Sequence, residues 1–195
     1  MKNKILGIVA VTALLLPALA LAHTGADGAH VHSALLQGLL HPFTGADHLA
    51  AMLALGVWSA LAMRPVWMAP AAFVLMLGAG ALAGFAGLVV PMIEPMIAAS
   101  LLVIGLLVLT RRGLPAVFAV ALAGLFAFFH GAAHGNELAG PGQWLALAGM
   151  LVSTALLHVG GIALGRFVFA QHRWLSTAAG SAVALLGSTL LLRLA

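Results

Sequence analysis

The sequence predicts an all-α membrane protein: a cleaved N-terminal signal peptide, then a bundle of six transmembrane helices, with a short interfacial or re-entrant segment before the first. Three observations predict it. The chain is 64% hydrophobic and 6% charged, against roughly 45–50% and about 25% in soluble domains. Apolar runs recur along its length, each long enough, or nearly so, to cross a hydrocarbon core of about 30 Å. The arginines also fall in alternate loops, as expected of the loops that face the cytoplasm. With 195 residues there is room for one such domain and none for an appended soluble module.

The first element is "MKNKILGIVAVTALLLPALALAH". Lys2 and Lys4 make a basic start, Ile5 to Leu16 an apolar middle, and Ala20 and Ala22 a small-residue cleavage site. We expect residues 1–22 to be removed as an export signal, leaving His23 as an external N-terminus; cleavage after Ala20 is the near alternative, and an uncleaved anchor would keep the same topology. Residues 23–40 then form an external, histidine-containing segment and 41–195 the six-helix transmembrane domain. Within the former, "VHSALLQGLL" at 31–40 is apolar but too short to span.

Six spans follow, at about 45–63, 68–90, 96–110, 114–130, 143–165 and 174–192. Starting outside, the chain reaches the cytoplasm at Arg64, at Arg111 and Arg112, and at Arg166 and Arg173. The outside segments carry Asp27, Glu94 and Glu137, with no basic residue until Arg193. Both ends are therefore expected outside. Trp58, Trp67, Trp144 and Trp174 stand near predicted span ends, where aromatic belts form. Gly80 and Gly84, in "GAGALAGFAG", have the spacing of a helix-packing seam rather than of a phosphate loop. An inverted repeat of three helices and three is not supported, because both polar clusters described next lie on the same side.

Composition also excludes functions. Without cysteine there is no disulfide, thiolate metal site or cysteine nucleophile. The formal charge of +4 falls to +2 once Lys2 and Lys4 are set aside, and the arginines form no patch for nucleic acid. No G-x-x-x-x-G-K-[ST] loop is present, so the chain does not hydrolyse ATP by that route.

Two ionisable clusters interrupt the apolar pattern. In "HPFTGADHLA" at 41–50, His41, Asp47 and His48 stand where a span begins. Part of this is explained as a helix start, with Thr44 as N-cap, Asp47 serving early amides and Pro42 at the entrance. That leaves the histidines, and imidazole with carboxylate is an ordinary ligand set for a divalent transition metal. In "FFHGAAHGNELAG", His130, His134 and Glu137 follow at i, i+4 and i+7, on one helical stripe. The alternative is an exposed helix end loosened by Gly131, Gly135 and Gly140; against it, ionisable residues at membrane depth mark functional sites.

Weaker candidates remain. His158, in "STALLHVGG", is either a ligand or a hydrogen-bond partner between helices. Glu94, in "PMIEPM", is either a ligand or a solvated loop carboxylate, and Met92 and Met96 beside it are ordinary packing residues. His23, His30 and His32 form a short tract that either captures metal or sits idle in a tail.

The motifs "HPFTGADHLAAM" and "FHGAAHGNE", behind an export signal and six helices, resemble the HupE/UreJ family of nickel permeases associated with hydrogenase and urease maturation. The resemblance runs from His41 to the end of the chain. It implies import of nickel, with cobalt as the second candidate, across the bacterial inner (cytoplasmic) membrane, with His41, Asp47, His48, His134 and Glu137 as transport residues. It also implies a functional link to hydrogenase or urease maturation proteins. No enzyme activity, prosthetic group or nucleic-acid partner is expected; the partners are the metal and the lipid bilayer. Two rivals stay open: an intramembrane metalloenzyme holding its metal at His130, His134 and Glu137, and a non-transporting metal-binding accessory protein.

Overall fold

A computed structural model describes residues 31–194, all backbone in helices, turns and short links with no strand among them. The expected signal peptide and cleavage site and the tail residues His23 and His30 lie outside the described residues, as does the side chain of His32. Helix α1, Val31–Leu40, passes through a 3-10 turn at His41–Phe43 into α2, Ala46–Ala62. Then come α3 (Met68–Phe85), α4 (Ile93–Thr110), α5 (Ala116–Leu138) and α6 (Gln143–Leu164). A π-helical turn at Gly165–Phe169 leads to α7, Arg173–Leu194.

Helices α3 to α7 are each long and apolar enough to cross a membrane, and α1 with α2 makes a sixth candidate span bent by 74° at its break. The chain is a multi-pass membrane protein. The bend answers the expectation of an interfacial or re-entrant piece at 31–40. It also has a local cause: Pro42 lacks an amide hydrogen, and Gly45 is extended at φ −108 and ψ 121, so the helical ladder restarts only at Ala46.

Some expected boundaries move. Span 114–130 becomes Ala116–Leu138, because the glycines after His130 stay helical. Span 68–90 ends at Phe85, where Gly87 turns the chain at φ +72. Thr44 is not an N-cap: Gly45 holds that position, and the Thr44 hydroxyl donates to the His41 carbonyl at 2.7 Å.

Lipid offers no hydrophobic gain to helix association, so close packing through small residues holds such bundles together. Helix α3 lies against α5 along the expected seam: Gly80 and Gly84 meet backbone of α5 at Phe128 to Asn136, and Gly131 and Gly135 meet Leu77 and Ala81. Gly56 and Gly161 bring α2 against α6, and Gly105, Gly180 and Gly187 bring α4 against α7. Trp58 is 1% exposed, inside the bundle rather than in an aromatic belt; Trp67, Trp144 and Trp174 are the exposed tryptophans.

The Trp58 indole N–H donates to the Arg112 carbonyl at 2.9 Å, tying the end of α2 to the α4–α5 link. Arg111 donates to the Ser176 hydroxyl at 2.8 Å and to the Phe169 carbonyl. The links after α2, α4 and α6 thus gather at one end of the bundle, the arginine end. The polar clusters gather at the other.

Candidate metal centre

Broken helix and continuous helix meet at the second end. The α1–α2 break carries His41, Asp47 and His48, and the last turns of α5 carry His130, His134 and Glu137. The α3–α5 seam presses Gly131 and Gly135 onto backbone, and the neighbouring His130 and His134 reach the His48 ring of α2.

His41 Nε2 lies 2.7 Å from His134 Nδ1 and 3.0 Å from Glu137 Oε2, and His134 Nδ1 is 3.2 Å from the same oxygen. Two ligands at adjacent positions of an octahedral ion, each with a bond of about 2.1 Å, stand roughly 3.0 Å apart. The three atoms therefore have the mutual spacing of ligands sharing one cation. They line an open cavity of about 240 Å³ together with Thr44, Gly45, Asp47 and His48.

Behind this trio the imidazoles continue inward. The His48 ring lies 4.3 Å from that of His134 and 4.8 Å from that of His130, between centroids. His130 is fully buried and His134 is 2% exposed, so neither belongs to a loose helix end. Glu137 does face out, its side chain 58% exposed at the cavity mouth.

The hydrogen bonds fix which nitrogen of two of these rings is free. A carboxylate only accepts, so His48 Nδ1 donates to Asp47 Oδ1 at 3.0 Å, beside the His48 amide at 2.9 Å. The lone pair then sits on Nε2. Ser100 spends its hydroxyl hydrogen on the Ile97 carbonyl at 2.6 Å, so it accepts from His130 Nε2 at 3.0 Å and leaves the lone pair on Nδ1. Both freed nitrogens, and His134 Nε2, are buried with no hydrogen-bond partner. Leaving a buried polar atom unsatisfied costs about 1–3 kcal/mol. Two of these, on His48 and His130, are lone pairs held ready for something the protein itself does not supply. Metal-binding histidines are commonly held in this way, one nitrogen anchored and the other directed at the ion.

Six predicted residues, His41, Asp47, His48, His130, His134 and Glu137, thus converge. Glu94 does not join them: it lines a neighbouring cavity of about 370 Å³ with Ile97, Ala98, Leu190, Arg193 and Leu194, and Asp47 lies on the walls of both. His158 is also apart, deeper between α2 and α6, with the Phe73 ring between it and His130. Sequence reading missed Ser100, whose signal is a lone hydroxyl in the apolar run "IAASLLVIG", and Phe73, which nothing distinguishes from its neighbours.

No solved structure matches the chain at a significant level. A protein from Rhizobium leguminosarum bv. viciae described as "Protein HupE" is 41% identical over 184 residues, covering 92% of this chain and 93% of that relative. The family model described as "HupE / UreJ protein" matches residues 11–190, which takes in α1 to α6, most of α7 and both clusters of the site. The chain belongs to the HupE/UreJ family.

Proposed function

We propose that the chain is a permease importing a divalent transition metal, nickel foremost and cobalt next, from the periplasmic side of the bacterial inner membrane into the cytoplasm. There the metal serves metalloenzyme maturation, that of hydrogenase or urease in particular. The observation that carries the proposal is the meeting of His41 Nε2, His134 Nδ1 and Glu137 Oε2 at 2.7 to 3.2 Å from one another, backed by further imidazole nitrogens with no partner. Both mature termini are assigned to the periplasmic side by the arginine pattern, and the site end therefore faces the periplasm.

Voltage suffices as a driving force. A dication moving toward a negative interior gains about 4.6 kcal/mol per 100 mV, on the order of a thousandfold accumulation. The site should also release what it binds, which favours an open set of histidines and carboxylates over a closed cage. Nitrogen and oxygen ligands do not by themselves choose among late divalent metals.

Purified protein in liposomes under an imposed inside-negative potential provides the test. Time-dependent entry of Ni2+, reduced by Co2+ and less by Zn2+, Cu2+ and Mn2+, is the expected result. Stoichiometric binding with no lumenal metal would overturn import and leave an accessory protein or a metalloenzyme.

A further inference from the structure

His158 lies outside the metal centre, yet it is held as the histidines of that centre are. It is 1% exposed on α6, and its Nδ1 lies 2.8 Å from the Met52 carbonyl on α2. A carbonyl only accepts, so Nδ1 carries the hydrogen and the lone pair sits on Nε2. That nitrogen is buried with no partner. A histidine kept only to link two helices would be fully served by its single bond; the orphaned nitrogen costs stability and does nothing for packing.

A second orphan accompanies it. Thr154 is fully buried, and its hydroxyl has no partner. On α6 it stands four residues before His158, on the same face. Helices α2 and α6 descend in the same direction, since His158 meets Met52 while Gly165 meets Val57 and Ala60. Thr154 is therefore one turn from the level of His158 back toward that of His48, which precedes Met52 by four residues on α2.

The Phe73 ring stands between His158 and His130, its centroid 5.6 Å from that of His130 and 5.1 Å from that of His158. Going from the site end toward the arginine end, the order is His41 and His134, then His48 and His130, then the Phe73 ring, then His158.

We infer that His158 Nε2 and the Thr154 hydroxyl form an inner station for the divalent cation, with Thr154 on its outward side near the level of His48 and His158 one turn deeper, beside Phe73. The inference rests on the proposed metal import and extends it to a second stop. One imidazole and one hydroxyl hold a dication weakly, as a stop on a path requires. The ion leaves His48 and His130, passes Phe73 and is met by a neutral imidazole whose lone pair is already free.

The test uses the full chain with a tag that contains no histidine. His158→Asn keeps a donor where Nδ1 stood and removes Nε2; Thr154→Val removes a hydroxyl that has no hydrogen bond to lose. Equilibrium Ni2+ binding to detergent-solubilised protein is measured beside Ni2+ uptake in liposomes. Each variant is expected to bind one Ni2+ fewer per chain at saturation than the parent, to keep the tighter affinity within about twofold, and to take up Ni2+ at least tenfold more slowly. Unchanged stoichiometry and uptake in both variants would overturn the inner station. So would loss of the tighter affinity together with uptake, which would make His158 a structural link. If His158→Asn fails to accumulate, Thr154→Val decides alone, because a purely structural role predicts a variant as stable and as active as the parent. The parent failing to bind Ni2+ at all refutes metal handling as a whole. Binding that Glu137→Gln abolishes completely refutes the inner station only.

Discussion

Gly131 sits between the two histidines of α5, and replacing it by alanine should disable the metal centre without touching a ligand. An added Cβ would stand 2.0 Å from the Leu77 carbonyl oxygen and 2.8 Å from its carbon. Both are backbone, with no side chain to swing aside. To bring that oxygen to 3.0 Å, α5 must withdraw from α3 by 1.0 Å, and by 1.4 Å to reach the ordinary contact distance of 3.4 Å. His130 and His134 ride on the same turns and move with it. Metal–ligand distances tolerate deviations of about 0.2 Å, so a shift five times larger displaces His134 and Glu137, which move together on α5, relative to the His41 nitrogen now 2.7 and 3.0 Å from them. Ni2+ affinity should fall at least tenfold, equivalent to about 1.4 kcal/mol, with uptake falling in step. Overpacking itself costs about 1–3 kcal/mol of stability, so thermal unfolding in detergent must accompany the binding assay. Gly124→Ala is the control on the same helix, because its Cβ would meet only the movable Met76 side chain, at 3.1 Å. Equal, near-parental Ni2+ affinity in the two variants would refute the claim that the α3–α5 seam positions the histidines.

The remaining predictions concern ligands, protons, orientation and the tail. His48→Ala and Glu137→Ala should each remove most uptake at normal membrane abundance, and the double variant should be scarcely worse, since residues acting as a unit are non-additive; losses that multiply would indicate two independent sites. Uptake should decline in acid, because protons compete with the cation for ring nitrogens; a profile under constant voltage that stays flat until the protein unfolds would argue against histidine ligation. A reporter fused after Arg112 should read as cytoplasmic and one after Gly140 as external, and the same side for both would refute the topology. Deleting His23 to His32 behind an intact signal should weaken uptake mainly at low metal, whereas an unchanged concentration dependence would mean the tail takes no part.

Local signals in the sequence were enough for the helices and for the ionisable residues that the fold gathers at one end of the bundle. Apolar length marks α3 to α7, and Gly80 and Gly84 announce a seam whose partners, Gly131 and Gly135, needed the fold to be found. Helix ends were harder. A span judged by hydropathy stops at His130, because imidazoles count as polar, yet the helix continues to Leu138 since burial against α2 and α3 suits small and ionisable residues alike. The Thr44 capping expectation failed because Pro42 and Gly45 shape a turn there that a spacing rule does not contain. Pairing His41 with His134 across 93 positions is a property of packing, to which helical periodicity is blind. The same blindness hides Ser100 and Thr154: in sequence each is an ordinary small residue, and only its surroundings reveal whether its hydroxyl is used.

The cavity at the metal centre holds about 240 Å³, and six waters at their liquid share of about 30 Å³ each need roughly 180 Å³. By volume there is room for a hexahydrated dication. On the proposed import, dehydration would take place against the imidazoles rather than in the bulk, each water leaving as a nitrogen or carboxylate oxygen replaces it. Because hydrated dications of similar radius present much the same exterior, such an entrance would not sort them by size. Discrimination falls to the exchange step within, where an ion that clings to its water, as Mg2+ does, gains little from neutral nitrogen donors. An ion that prefers imidazole trades readily, so the width of the mouth and the choice of ligand behind it are complementary halves of one filter.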